Sequence, residues 1–263
     1  LMGYYPFNGN ANDESGNGLN FASAPAFGSD RFDTAQSAAF LNTNSAYSTP
    51  NVTLGGTGFS TSYWVYLDKA PAAGGERALL QGSWNSGTGL FSIAFGVNGD
   101  GRIDIKDGGS LSTGTGYFAL NQWYHMAFTG DGSTLQMYIN GALHSSVSST
   151  LPTKAAPIVL GGDSGYYFDS GSIDDVRIVS GFLDGSAVGD DERGGGQHRH
   201  HRKDKHCRGR PASKSLIQPQ PSRAPATIRL SKLKTSIPGC SAASSAHECS
   251  ALPEGGPPKT RRG

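Results

Sequence analysis

The chain has 263 residues, room for one domain or two, and its formal net charge of +1 averages two unlike parts. Residues 1–181 hold 7 Lys and Arg against 14 Asp and Glu, a net −7, whereas residues 182–263 hold 15 against 7, a net +8. All three cysteines (Cys207, Cys240, Cys249) lie in the second part, so the first excludes a disulfide scaffold, and no apolar run is long enough to cross a membrane.

Gly3–Phe7 opens as a short aromatic strand and runs into NGNANDESGNGLN (residues 8–20), rich in turn-forming residues that also carry oxygen ligands. Ala38–Leu41 and Ala46–Ser48 are weak strand patterns. Phe59–Leu67 (FSTSYWVYL) is a strong one. Arg77–Gln81 and Leu90–Val97 follow, joined by GSWNSGTG, and Asn98–Gly101 turns into Arg102–Lys106. Trp123–Thr129, Leu135–Ile139 and Ala142–Val147 are separated by Asp131-Gly132 and Asn140-Gly141, which are strong hairpin signals. Pro157–Gly161 precedes Gly171–Val179 (GSIDDVRIV). Strict alternation there puts Asp174, Val176 and Ile178 on one face and Ile173, Asp175 and Arg177 on the other. A carboxylate at the core of a sheet is costly unless a cation or hydrogen-bond donors meet it. About ten to twelve strands and no helix predict an antiparallel sandwich or jelly roll.

After Val179 the pattern changes. The segment from 182 to 263 contains one aromatic residue, Phe182, and five of the seven histidines, and lacks periodicity. It is expected to be disordered. Its Arg, Pro, Gly, Ser and His bias matches GC-rich DNA read out of frame, an expectation that the coding DNA tests. The run Gln197–Arg210 offers His198, His200, His201, His206 and Cys207, but fits no zinc-finger spacing and lacks aromatic residues for base stacking. No nucleic-acid partner is expected. No signal peptide precedes Gly3, so secretion would need a leader outside this sequence.

GYYPFNGNANDESGNG at 3–18, WVYL at 64–67, NQWYHMAFTGDGSTLQMYINGAL at 121–143 and GSIDDVRI at 171–178 resemble, in order, the bacterial laminin G-like domains of the concanavalin A-like lectin/glucanase superfamily. The resemblance implies an all-β, two-sheet antiparallel jelly-roll sandwich (concanavalin A-like) over 1–181, followed by the disordered tail at 182–263. It implies a non-catalytic accessory module of a secreted or cell-surface bacterial protein. It also implies a structural Ca²⁺ where the first and last strands meet, with Asp174 as the last-strand ligand and Asn8, Asp13 and Asn17 supplying oxygens from the first loop. The other reading of these residues is that they cap turns and that Asp174 accepts backbone hydrogen bonds. The family's usual YNRALSxxEI segment after the last strand is replaced by VSGFLDGSAVGDDE, which predicts a disrupted C-terminal edge.

Other sites follow from the residues. VNGDGRIDIKD at 97–107 has some EF-hand offsets, but its flanks read as strands, and a hairpin turn is expected. Glycoside hydrolysis needs two positioned carboxylates. No ExDxxE-type run exists, and Glu14 and Glu76 sit in turn-like contexts, so no catalytic residue is assigned. His125 in WYHMAF reads as a packed or edge histidine, and Trp64 and Trp123 as core. For glycan binding, exposed aromatic platforms point to Trp84, then Tyr166 and Tyr167, with Tyr117 weaker. The partner expected is a polysaccharide, a glycoconjugate or a cell-surface protein; the rival function is structural or protein–protein adhesion with no glycan site.

Overall fold

The computed structural model describes residues 1–42 and 44–188, and within them lie sixteen strands and one helical turn at 185–188. The first five strands are β1 (Gly3–Tyr5), β2 (Ala26–Gly28), β3 (Ala38–Leu41), β4 (Tyr47–Leu54) and β5 (Phe59–Leu67). Then come β6 (Glu76–Gln81), β7 (Phe91–Phe95), β8 (Gly101–Ile105), β9 (Ser110–Ser112), β10 (Trp123–Gly130) and β11 (Thr134–Ile139). The last are β12 (Ala142–Ser148), β13 (Lys154–Leu160), β14 (Gly162–Asp163), β15 (Tyr166–Tyr167) and β16 (Gly171–Val179).

These form the jelly-roll sandwich. Sheet I runs β12-β11-β10-β5-β16-β3-β2, with β1 also on β16. Sheet II runs β14-β15-β6-β7-β8-β9, with β13 between β6 and β4. The two inner faces meet in one apolar core. Phe59 and Tyr63 of β5 and Phe91 and Phe95 of β7 are fully buried, and the Phe59 and Phe91 rings stack at 5.4 Å. Burying each such ring contributes about 1.5–3 kcal/mol.

β16 holds sheet I together. One edge pairs with β5. The other is shared by β3 at Gly171–Ile173 and by β1 at Val176–Ile178. Gly171 at its start tolerates no side chain, because a Cβ there would meet the Tyr66 carbonyl oxygen at 1.8 Å. The pairing with β5 shifts between Asp174 and Arg177, so Asp175 and Val176 oppose the single residue Tyr63. Asp175 sits in the left-handed region, with φ 50°. This bulge overturns strict alternation. Ile173, Val176 and Ile178 all enter the core. Asp174 does not share a face with Val176; both carboxylates turn to one guanidinium instead.

Chain packing continues past Val179. The Ser60 hydroxyl donates to the Gly181 carbonyl at 2.7 Å and accepts from Leu183 N–H at 2.9 Å. Asp184 caps the helical turn by accepting from Ser186 and Ala187 N–H, each at 3.0 Å, and Val188, 1% exposed, packs on Ala127 and Tyr138. The C-terminal edge is therefore built, although its sequence departs from the family pattern. The rest of the tail, with its His and Cys run, lies outside the described residues.

Candidate functional site

The expected calcium site is occupied by the protein's own groups. Asp174 Oδ2 accepts from Arg31 Nη1 and Asp175 Oδ2 from Arg31 Nη2, both at 2.8 Å. Asp174 Oδ1 accepts from Asp175 N–H at 2.7 Å, and Tyr4 donates its hydroxyl to Asp175 Oδ1 at 2.8 Å. Arg31 is sandwiched between the Phe32 and Trp64 rings, 4.6 Å from each centroid. Burial, reinforced by the neighbouring Asp175, raises the Asp174 carboxyl to about 8 against the pull of Arg31. Arg177 Nη2 also lies 3.9 Å from Asp175 Oδ1, so two guanidiniums face the carboxylate pair.

The first loop is equally committed. Asp13 accepts backbone N–H from Tyr4, Ser15 and Leu19 at 2.9–3.0 Å. Burial opposes its ionisation, but the Ser15 hydrogen bonds and the Tyr4 and Leu19 N–H groups hold its carboxyl below the usual range. Asn17 spends its amide on the Leu1 and Met2 carbonyls, and Asn8 is exposed, with its carbonyl accepting from Asn10. Among the described residues no three His, Cys, Asp or Glu come together to hold a metal. The expected Ca²⁺ with Asn8, Asp13, Asn17 and Asp174 as ligands is therefore withdrawn: Arg31, bonded to both carboxylates, takes the cation's place.

The expected ligand residues converge on the outer face of sheet II. Asp163 and Tyr166 pair across the two-residue turn Ser164-Gly165, and Tyr167 pairs with Arg77 of β6. Arg77 Nη1 donates to Asp163 Oδ1, and its guanidinium lies 4.5 Å from the Tyr166 ring centroid. Asp163 Oδ2 accepts from Ser83 Oγ at 3.0 Å and from Trp84 N–H at 3.1 Å. One buried ion pair therefore fixes both the Trp84 loop and the Tyr166 hairpin. Tyr166 is 43% exposed, whereas Trp84 and Tyr167 are half-buried. Beside Tyr166, whose ring would stand 3.9 Å from a Cβ on Gly74, a cleft of about 170 Å³ is lined by Gly74, Ala94, Gly96, Asn98, Asp100 and Arg102. Its β7–β8 turn is the expected hairpin, closed by Gly96 N–H to the Asp100 carbonyl at 2.8 Å. Burial raises the Asp104 carboxyl, opposed by Arg102 and Arg77.

Residues 41–189 match the model of the concanavalin A-like lectin/glucanases superfamily. The chain belongs to that superfamily. Among solved structures, this superfamily member is similar to domain 4 of AbnA, a GH43 extracellular arabinanase from Geobacillus stearothermophilus, in complex with arabinotriose. The identity is 24% and the TM-score 0.56, over 73% of this chain and 98% of that one. It is also similar to the botulinum neurotoxin serotype D ligand binding domain in complex with N-acetylneuraminic acid, at 15% identity and TM-score 0.58. The binding domain of Paraclostridial Mosquitocidal Protein 1 matches at 20% identity and TM-score 0.53. The chain covers 50% of each of these two toxin domains and 72–73% of its own length is matched. At these identities the likeness is one of fold. A search of curated proteins gives no significant match.

Glu76 is buried and spent, accepting from Ala72 N–H, Asp169 N–H and the Ser170 hydroxyl at 2.7–3.1 Å, and Glu14 is exposed on the first loop. His125 is fully buried, its ring 5.3 Å from that of Trp64. Trp64 and Trp123, expected in the core, are instead half-buried on the outer face of sheet I, because alternation gives the core Tyr63, Val65 and Tyr124. Tyr117 stands edge-on to His144 of β12, with ring centroids 5.0 Å apart. A hollow of about 350 Å³ on sheet I, lined by Leu1, Ser60, Ser62, Arg177, Val179 and Leu183, carries no aromatic platform. Sequence reasoning missed Arg31, Arg77 and Asp163. The single signal for them was that carboxylates in strands need a cation, which does not say which cation.

Proposed function

We propose that this domain is a non-catalytic recognition module that binds a polysaccharide or glycoconjugate on the outer face of sheet II, as part of a larger secreted or surface protein. The observation that carries the reading is the shared Arg77–Asp163 anchor, which ties the Trp84 loop and the Tyr166 hairpin to one ion pair, with the Tyr166 ring beside the Gly74 wall of an open cleft. Aromatic rings stack on the C–H faces of sugars, and preorganised platforms lose little conformational entropy on binding. Charged and polar groups along the cleft, Asp100 and Arg102, suit sugar hydroxyls. Two relatives of the same fold, noted above as solved with arabinotriose and N-acetylneuraminic acid, support saccharide binding. Tyr167 holds the hairpin against β6 and contributes to the site through Tyr166.

A glycan array with the full chain tests the proposal. Trp84→Ala and Tyr166→Ala are expected to lower affinity about tenfold or more each, as removal of central aromatic anchors does, with near-ultraviolet circular dichroism unchanged. An intact fold with no glycan bound would instead favour the adhesion reading.

A further inference from the structure

Seven Lys and Arg lie in residues 1–181. Five of them, Arg31, Lys69, Arg77, Arg102 and Arg177, lie within 4.0 Å of a carboxylate. Lys106 and Lys154 do not, among the described residues, and both stand at the Trp84 loop. Lys106 Nζ is 5.3 Å from the Trp84 ring centroid. Lys154 Nζ donates to the Gly87 carbonyl, three residues beyond Trp84, at 3.4 Å. Gly87 lies between them: a Cβ there would reach Lys106 Cε at 3.4 Å. Both lysines are half-buried and come from different strand ends, Lys106 after β8 and Lys154 opening β13.

This placement is informative because the sandwich is otherwise acidic. A polyanion approaching a surface of net −7 is repelled except where uncompensated cations gather. Lys106 and Lys154 have at present only weak partners, a ring face and a backbone carbonyl. A carboxylate or sulfate would replace either with a charge-assisted hydrogen bond. We propose that Trp84, Lys106 and Lys154 form a subsite for an acidic sugar residue, carboxylated or sulfated, so that the glycan recognised is anionic. The inference rests on the carbohydrate reading above and names the ligand class for that site. Lysine suits the task because its ammonium is a mobile point charge that follows an acidic group on a sugar ring.

The three tryptophans, Trp64, Trp84 and Trp123, all lie in the sandwich, so indole N–H signals report on it separately from the basic tail. The full chain is titrated with trigalacturonate, galactotriose, a 6-sulfated galactotriose and triglutamate at physiological salt, and the Trp84 indole signal is assigned by Trp84→Phe. The expected result is saturable perturbation of Trp84 by the two acidic saccharides, about fivefold tighter than by galactotriose, and weakening as salt rises. Lys106→Gln with Lys154→Gln should bring the acidic saccharides to the galactotriose level and leave galactotriose unchanged. Equal affinity for acidic and neutral sugars, indifference to the lysine changes, or triglutamate binding as well as trigalacturonate would each overturn the subsite while leaving carbohydrate binding in place. If no saccharide moves the Trp84 signal in the folded chain, the carbohydrate reading itself fails.

Discussion

Sheets I and II carry the same chemical group on their outer faces, used in opposite ways. On sheet I, Arg31 stacks on Trp64 and Phe32 and is gripped by Asp174 and Asp175. On sheet II, Arg77 stacks on Tyr166 and is gripped by Asp163. In the first set the charged side chains are sealed, 4–7% exposed, while the Phe32 ring over Arg31 is 59% exposed. The second leaves Tyr166 43% exposed over a cleft. The first arginine is held by two carboxylates and closes on itself as a structural rivet, whereas the carboxylate on the second also accepts from Ser83 Oγ and Trp84 N–H and ties a loop to the hairpin of the proposed platform. Each set leaves one ring in solvent, so what separates them is what else the carboxylates hold.

The largest expected effect breaks the rivet. Arg31→Ala leaves uncompensated charge beside the bulge and should destabilise the domain by about 3–5 kcal/mol, measured by urea denaturation. The rivet should also carry a pH signature. The Asp174 carboxyl is raised to about 8 in the folded domain against 3.8 in an ordinary one, so folding retains a proton that the unfolded chain releases. Stability is then present below pH 4 and falls as the pH rises from about 4 to 8. The slope should flatten in Asp174→Asn; an unchanged slope would assign the proton elsewhere.

On the platform side, Asp163→Ala should cost less stability, about 1–3 kcal/mol, yet lower glycan affinity, because the Trp84 loop and Arg77 lose their common anchor. If binding were unchanged in that variant, the platform would not depend on the ion pair. The smallest effect tests where the sandwich stops. Val188→Ala should lower stability by about 1–2 kcal/mol, whereas a segment detached after residue 181 would show none.

The parts of the fold that were legible in the sequence rest on local signals. Alternation in FSTSYWVYL and WYHMAFT, with Asn140-Gly141 at φ 49° and 74°, fixed strands and turns that need no distant information. β4 was only half visible, since Pro50 interrupts its pattern; it is tolerated because β4 is an edge strand paired on one side with β13. The bulge was hidden as well. Nothing in GSIDDVRIV marks Asp175 as left-handed, and that one residue decides which side Asp174 takes. Arg31 lies 143 residues from Asp174 in a loop without periodicity, so its partnership is a product of topology alone. Trp84 and Tyr166 were legible as aromatics between turn residues, but their common anchor was not, nor that Trp84 is half-buried.

β16 has one further consequence, for the order of assembly. It is the last strand of the described residues and occupies the middle of sheet I, where it pairs with β1, β3 and β5. Until residue 179 has left the ribosome, the edge of β5, rich in aromatic and β-branched residues, has no native neighbour on that side. Folding must then join Tyr5 to Val176 across nearly the whole domain, a contact of high sequence separation that slows two-state folding. During that interval the open strand edge can template pairing between nascent chains, so aggregation should be set by how fast β16 inserts rather than by the stability of the finished sandwich.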